Sequence, residues 1–414
     1  MLKNKNFMSL FFGRIFTNMG DSIFYILSMW LVFEVTDSPI YVGIAGFMFT
    51  LPPILNIFLG PIIDNNNPKR LYVLVSFFQV ALILILLVML LTNSFSIWIF
   101  LVIIFITTVF SEITYPLENV IMPRIVPKKD LLKANSIMSI AYQGLDLLFS
   151  GIAGILISLF AITILYGFNL LAFTLPIIFI LFLKMDYKKE EKSTVHSEWE
   201  QYKNDFKGGL SFIRLPLIFD LLFPLVLINF LFSIVLVSLP SFATAIGGSS
   251  STYGLIITAL GIGSIIGAFF VEKVQIKFSL GKIMSIGFLI AGLAWLVMVY
   301  SSQDSIALMY FFLILSYTFI GAINVLFTTL FQSLPSEDML GRVNTAVESF
   351  ISLSMPIGSL VGGILATYFP TSFVIAIFGI GLVLLSLYYL TNSRIRTLPK
   401  LDKLTSIDYE NEFK

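Results

Sequence analysis

Apolar runs long enough to cross a bilayer alternate with short polar loops along the whole chain. A span needs roughly 20 apolar residues. Twelve runs approach or exceed that length: 9–34, 39–63, 71–91, 97–120, 134–159 and 162–183, then 216–243, 253–273, 281–300, 306–330, 343–368 and 371–392. Backbone groups in lipid must be satisfied internally, so each run is predicted to be a helix. Pro52, Pro53, Pro116, Pro176, Pro240 and Pro356 fall inside runs and predict kinks. The expected fold class is an all-α integral membrane protein of 12 transmembrane helices.

The cations orient these helices. Every second loop holds them: three at the N-terminus (Lys3, Lys5, Arg14), then Lys69 and Arg70, then Arg124, Lys128, Lys129 and Lys133, then seven between residues 184 and 214. Lys273, Lys277 and Lys282, then Arg342, then five within 394–414 complete the 25 Lys and Arg residues, and the intervening loops hold none. Cationic loops stay in the cytoplasm. Both termini are therefore expected there, in a bacterial plasma membrane, and no Lys or Arg is expected in the middle of a span.

Composition narrows the function classes. Hydrophobic residues make up 57% and charged residues 12%, against about 25% charged in soluble domains. The net charge of +1 is spread over loops and offers no nucleic-acid surface. The chain has no Cys and a single histidine, His196. Disulfides, thiolate sites and histidine metal clusters are excluded, as is a conventional catalytic triad, and no metal or cofactor is expected. There is no G-x-x-x-x-G-K-[ST] phosphate loop. The first run lacks a cleavage site for a signal peptide and is expected to be retained.

The longest polar segment, 185–215, divides the chain. Trp199, Tyr202, Phe206 and Leu210 recur in it at helical spacing among charges. It reads either as an amphipathic helix on the inner membrane surface or as a solvated linker. The expected domains are 1–184, the linker 185–215, 216–393 and a cytoplasmic tail 394–414. The halves echo each other. Pro127 and Pro335, and Asp130 and Asp338, are offset by 208 residues; Asn135 and Asn344, and the Gly-Ile-Leu triplets at 154 and 363, by 209. Parallel six-span repeats describe the major facilitator fold.

Four stretches carry a family resemblance: Asn18-Met-Gly20-Asp21; Gly60-Pro-Ile-Ile-Asp64 with Pro68-Lys69-Arg70; Pro123-Arg124-Ile-Val-Pro127 through Asn135, with its partner Pro335 through Val343; and Gly208-Gly209-Leu210-Ser-Phe212-Ile-Arg214. The chain resembles major facilitator superfamily transporters, in particular the macrolide-efflux-like branch of drug:proton antiporters. It departs from the pattern at Asn65, where a basic residue is usual, in the loop 272–282, and in lacking an arginine mid-way along span four. The resemblance implies that spans one, four, seven and ten line a central cavity, with two, five, eight and eleven beside them. It also implies a cytoplasmic gate around Asp64, with Lys69, Arg70, Arg124 and Arg342.

Ionisable residues at membrane depth are costly and mark function. Asp21, Glu112, Asp146 and Glu348 qualify. Low dielectric disfavours a charged carboxyl, and entering water restores it, which is the cycle a proton-coupled antiporter needs. Asn18, Asp21, Ser22, Tyr25 and Ser28 form one helical stripe. Gln143 and Asp146 belong to a second stripe in span five, where hydrogen bonding between helices is the alternative role. Glu112 and Glu348 lie nearer the cytoplasmic ends, where pairing with Arg124 or Arg342 is the alternative. Glycines at four-residue spacing, Gly263 and Gly267, and Gly358 with Gly362, predict close helix approach.

The expected function is export of an amphiphilic or hydrophobic small molecule by proton-coupled alternating access, from a monomer in the lipid bilayer. Export of one dedicated compound (a metallophore, siderophore or lipid) and proton-coupled nutrient uptake compete with it. Outside transport, a membrane receptor or assembly partner is the alternative.

Overall fold

The computed structural model describes residues 4–55, 63, 66–139, 141, 145–185, 213–334 and 340–400, which are helical almost throughout. The helices are α1 (Lys5–Thr36), α2 (Pro39–Thr50), α3 (Pro68–Leu91), α4 (Ile97–Ile125), α5 (Leu131–Ser139), α6 (Leu145–Leu159) and α7 (Ile162–Phe182). Then follow α8 (Pro216–Ala245), α9 (Ser250–Lys277), α10 (Leu280–Ser301), α11 (Ile306–Ser333), α12 (Leu340–Tyr368), α13 (Thr371–Thr391) and the single turn α14 (Ser393–Arg396). Among the described residues, ten helices are long and apolar enough to cross a membrane. Two shorter apolar stretches, Pro39–Leu55 and Leu148–Leu159, stand where spans two and five are expected, which is consistent with twelve.

Span two is not one described helix. Helix α2 stops at Thr50, and Pro52 and Pro53 open a 3-10 turn over Pro52–Leu55. Each proline lacks the N–H that an α-helix needs from its interior residues. Span five is described in two pieces, α5 and α6. The linker 186–212, and with it the expected amphipathic helix, lies outside the described residues.

The chain forms two compact units: one of residues 1–37 and 48–200, the other of 38–47 and 201–414. In the first, α1 packs against α4, α6 and α7, and α3 against α4 and α7. The membrane-length window of α1 is 72% buried, more than that of the other long helices among the described residues, so α1 runs through the middle of its unit. Small residues let α7 approach it. A Cβ on Gly20 would lie 3.0 Å from the Phe173 ring. Ser9 Oγ donates to Phe179 O at 2.7 Å, and Asn169 Nδ2 donates to Gly20 O at 2.7 Å.

In the second unit α8 packs on α12, α9 on α11, and α10 on α11 and α13. The expected close approaches are present. Gly263 faces Tyr317 and Ile314 on α11, Gly267 faces Thr318 and Ala322, and Gly358 and Gly362 face Phe230 and Ile234 on α8. Trp295 anchors α10 to α13 by donating Nε1–H to Ile375 O at 2.8 Å. Beyond α13 the chain turns back across the unit: Leu280 N donates to Pro399 O at 3.1 Å, while Ile395 and Leu398 are buried. Arg394 lies 3.3 Å from Asp220, which also accepts the Tyr388 hydroxyl at 2.7 Å.

Candidate functional site

Helix α1 starts where Asn4 caps it, its side chain accepting from the backbone N–H groups of Asn6 and Phe7. It ends where Asp37 takes a left-handed conformation, φ 47°. At 1.5 Å per residue its 32 residues measure about 48 Å, against about 30 Å of hydrocarbon. Centred in the bilayer, α1 carries Asp21 near the midplane and Arg14 about 5 Å inside the hydrocarbon edge.

Arg14, counted among the N-terminal loop cations, therefore lies inside span one, toward its N-terminal end rather than at its middle. Its residue is 5% exposed and Glu118, on α4, is 0% exposed. Arg14 Nε donates to both carboxylate oxygens of Glu118, at 2.8 and 3.1 Å. Nη1 donates to Asn18 Oδ1 at 3.2 Å and Nη2 to Thr114 Oγ1 at 3.3 Å. The guanidinium carbon lies 6.0 Å from the centre of the Tyr115 ring. The Tyr72 hydroxyl, from α3, donates to Glu118 Oε1 at 3.0 Å and lies 3.3 Å from the Thr17 hydroxyl. A charge at this depth is tolerated only when paired and hydrogen-bonded, and here both conditions are met by three helices converging on one point.

The same seam continues to Asp21. The Ser111 hydroxyl of α4 donates to Asp21 Oδ1 at 2.7 Å. Seven positions forward on α1, from 14 to 21, are matched by seven positions back on α4, from 118 to 111. This is the register of two antiparallel helices in contact along one line. Between the rungs, Asn18 accepts from Arg14 and donates through Nδ2 to Ala141 O in span five at 2.5 Å.

The polar stripe of α1 meets several neighbouring helices. Asn18 meets Arg14 and span five, and Asp21 meets α4. The Ser28 hydroxyl lies 3.2 Å from that of Tyr166 on α7. Tyr25 stands edge-on to Phe49 with ring centres 4.9 Å apart. Glu112 is half-buried on α4 and Glu348 is exposed on α12. Gln143 and Asp64, with the side chains of Asp146 and Arg342, lie outside the described residues. Of the expected gate, Lys69 Nζ donates to the terminal carbonyls of α7, Leu181 O at 2.9 Å and Leu183 O at 2.6 Å. Arg70 is exposed, and Arg124 is half-buried in the last turn of α4.

Sequence reading missed Arg14, Glu118, Tyr72, Thr17 and Thr114. The signal was available for three of them: Arg14 lies four residues before Asn18 on the same helical face, and Ser111, Thr114 and Glu118 share a face of α4. Arg14, in span one, faces a glutamate in span four.

A family model described as "Transmembrane secretion effector" matches residues 1–413. Two Bacillus subtilis (strain 168) proteins are similar over nearly their whole length. The uncharacterized MFS-type transporter YfiS is 24% identical over 404 residues, covering 94% of each chain. The uncharacterized MFS-type transporter YkuC is 24% identical over 412 residues, covering 94% of this chain and 92% of that one. Among solved structures, a bacterial homologue of the iron transporter ferroportin in its inward-facing state has TM-score 0.70 at 15% identity, covering 94% of this chain and 98% of that one. A D-xylose-proton symporter has TM-score 0.66 at 12% identity, covering 96% and 98%. A family match along almost the whole chain, together with this helical architecture, makes the protein a multi-pass membrane transporter of the major facilitator superfamily, belonging to its transmembrane secretion effector family.

Proposed function

We propose that the protein exports an amphiphilic or hydrophobic small molecule, drug- or macrolide-like, across the plasma membrane by alternating access, driven by returning protons. The carrying observation is Asp21, a carboxylate half-way along the long, largely buried helix α1, held by the Ser111 hydroxyl. Transporters place substrate and coupling-ion sites near the midplane. Asp21 binds the incoming proton in one facing state and releases it in the other, and Ser111 keeps its carboxyl on the seam with α4. The outward direction is supported by the secretion description of the matched family.

The test uses inside-out vesicles with an imposed pH gradient and a pH-reporting dye. Macrolides, lipophilic cations and metallophores are added to wild type and to Asp21→Asn. Substrate-dependent proton efflux that disappears in Asp21→Asn is the expected result. Equal proton movement in both proteins removes Asp21 from the coupling path, and silence toward the whole panel counts against drug export.

A further inference from the structure

We propose that the groove between α3 and α7 binds an anionic phospholipid, with the phosphate at Lys69 and Arg70 and an acyl chain lying along the apolar walls. The site is independent of Asp21 and of the compound exported. The groove holds about 460 Å³, within the range of small-molecule sites. Its two ends differ in chemistry. At the start of α3 it is lined by Asn67, Lys69 and Arg70. Beyond them its walls are apolar, among them Leu74 and Phe77 of α3 and Ile177 and Leu181 of α7. Phe77 lies seven residues past Arg70, about 10 Å along the helix. The headgroup layer on each side of a bilayer is about 5–8 Å thick, so a molecule spanning the groove has its head at the cations and its tail in the hydrocarbon. The groove also opens sideways: Leu74, Phe77 and Leu181 are each more than half exposed. Apolar side chains exposed on spanning helices are solvated by lipid tails, which are as apolar as leucine.

The electrostatics of the wide end select an anion. Neither α3 nor α7 carries an acidic residue. Helix α7 ends here, and its last carbonyls present negative charge that repels a phosphate. Lys69 cancels that repulsion. Its Nζ donates to Leu181 O and Leu183 O, which uses two of the three ammonium protons and keeps the whole charge beside the groove. The backbone N–H groups of Lys69 and Arg70 are taken by the Asn67 side chain. The head is therefore met by side-chain cations rather than by a bare helix end. Arg70 is exposed, and its planar fork matches two phosphate oxygens at once.

The occupant follows from both ends together. A free phosphate leaves the apolar walls unused, and a neutral apolar compound leaves two cations unmatched. An anionic head on a hydrocarbon chain answers both, and the adjoining leaflet presents it. The positive-inside rule puts Lys69 and Arg70 on the cytoplasmic side, where the leaflet carries anionic lipids and where basic pockets between spanning helices take up their heads.

The experiment reads lipid at the groove itself. Phe77→Trp places an indole on its wall. The protein is reconstituted into phosphatidylcholine vesicles containing either brominated phosphatidylglycerol or brominated phosphatidylcholine, whose bromines quench a neighbouring tryptophan. The unsubstituted protein supplies the background of its four native tryptophans. One cation near the surface is worth about fivefold in affinity for an anionic lipid. Phosphatidylglycerol should therefore outcompete phosphatidylcholine at the reporter by at least about fivefold, and Phe77→Trp/Arg70→Gln should lose about fivefold of that preference. Phe77→Trp/Arg396→Gln should keep it, although it removes another exposed cation assigned to the same side. Equal quenching by the two brominated lipids overturns the proposal. So does an equal loss in both arginine variants, which reduces the effect to the general attraction of a cationic surface. Reversal of the quenching by inorganic phosphate overturns it as well, because the groove is then an anion site without a lipid. If Phe77→Trp does not fold, native mass spectrometry of the wild type and Arg70→Gln decides. Phosphatidylglycerol adducts that persist in the wild type and are lost in the variant uphold the site, and adducts equal in both overturn it.

Discussion

Helices α9 and α11 meet backbone to backbone, and one methyl group should separate them. A Cβ on Gly267 would overlap Thr318 O and stand 2.7 Å from Ala322 N. One turn earlier, a Cβ on Gly263 would lie 2.6 Å from Tyr317 Cβ, and from the other side one on Gly321 would lie 2.6 Å from Ser264 O. Ordinary heavy-atom contact is about 3.5–4.0 Å, so Gly267→Ala requires the helices to part by about 1 Å. Overpacking of this kind costs about 1–3 kcal/mol. Gly→Ala also gains about 1 kcal/mol of helix propensity, which must be cancelled to see the steric effect. Gly287→Ala in α10 does that within the same unit, because its nearest neighbour is the tip of the flexible Ile323 side chain. The assay is thermal unfolding in detergent at a fixed scan rate, followed by tryptophan fluorescence. Trp295 packs edge-on against Phe378 with ring centres 4.9 Å apart and reports on this unit. At about 2–4 °C per kcal/mol, Gly267→Ala should melt about 2–12 °C below Gly287→Ala. Equal midpoints would refute the close-packed seam.

Three further predictions concern other contacts. Glu118→Ala should cost about 3–5 kcal/mol by stranding Arg14, whereas Arg14→Met/Glu118→Leu should stay within about 1 kcal/mol of wild type; denaturant unfolding compares them, and equal losses would show that the pair is not what holds the site. Lys69→Ala should cost only about 0.3–1 kcal/mol, yet expose the last turn of α7, so hydrogen exchange at residues 180–183 should quicken; unchanged exchange means that Lys69 does not cap that helix. Asp220→Ala removes the acceptor of Tyr388 and the partner of Arg394, so trypsin should cut at Arg394 and Arg396 several-fold faster, and an unchanged cleavage rate would show that the returning segment is held by Ile395 and Leu398 alone.

What can be read along one chain and what cannot differ for a physical reason. Span positions follow from the length of apolar runs, because lipid demands backbone hydrogen bonds inside each segment. A carboxylate at residue 21 is costly wherever its helix packs, so Asp21 stood out unaided. The glycines of α9 and α12 announced close contacts by their four-residue spacing, although which helix they would meet was not written there. Arg14 was misread because a cation near the start of an apolar run has two outcomes of similar sequence appearance: it snorkels to water, or it finds a buried anion. Glu118 decides between them, and it lies 104 residues away. The same holds for Ser28, whose place on the polar stripe of α1 did not say which helix its hydroxyl would meet, and it meets Tyr166. Hydropathy and spacing are properties of one helix and were legible as such. Pairing depends on the rotation and register of two helices, which are settled only when the whole bundle packs.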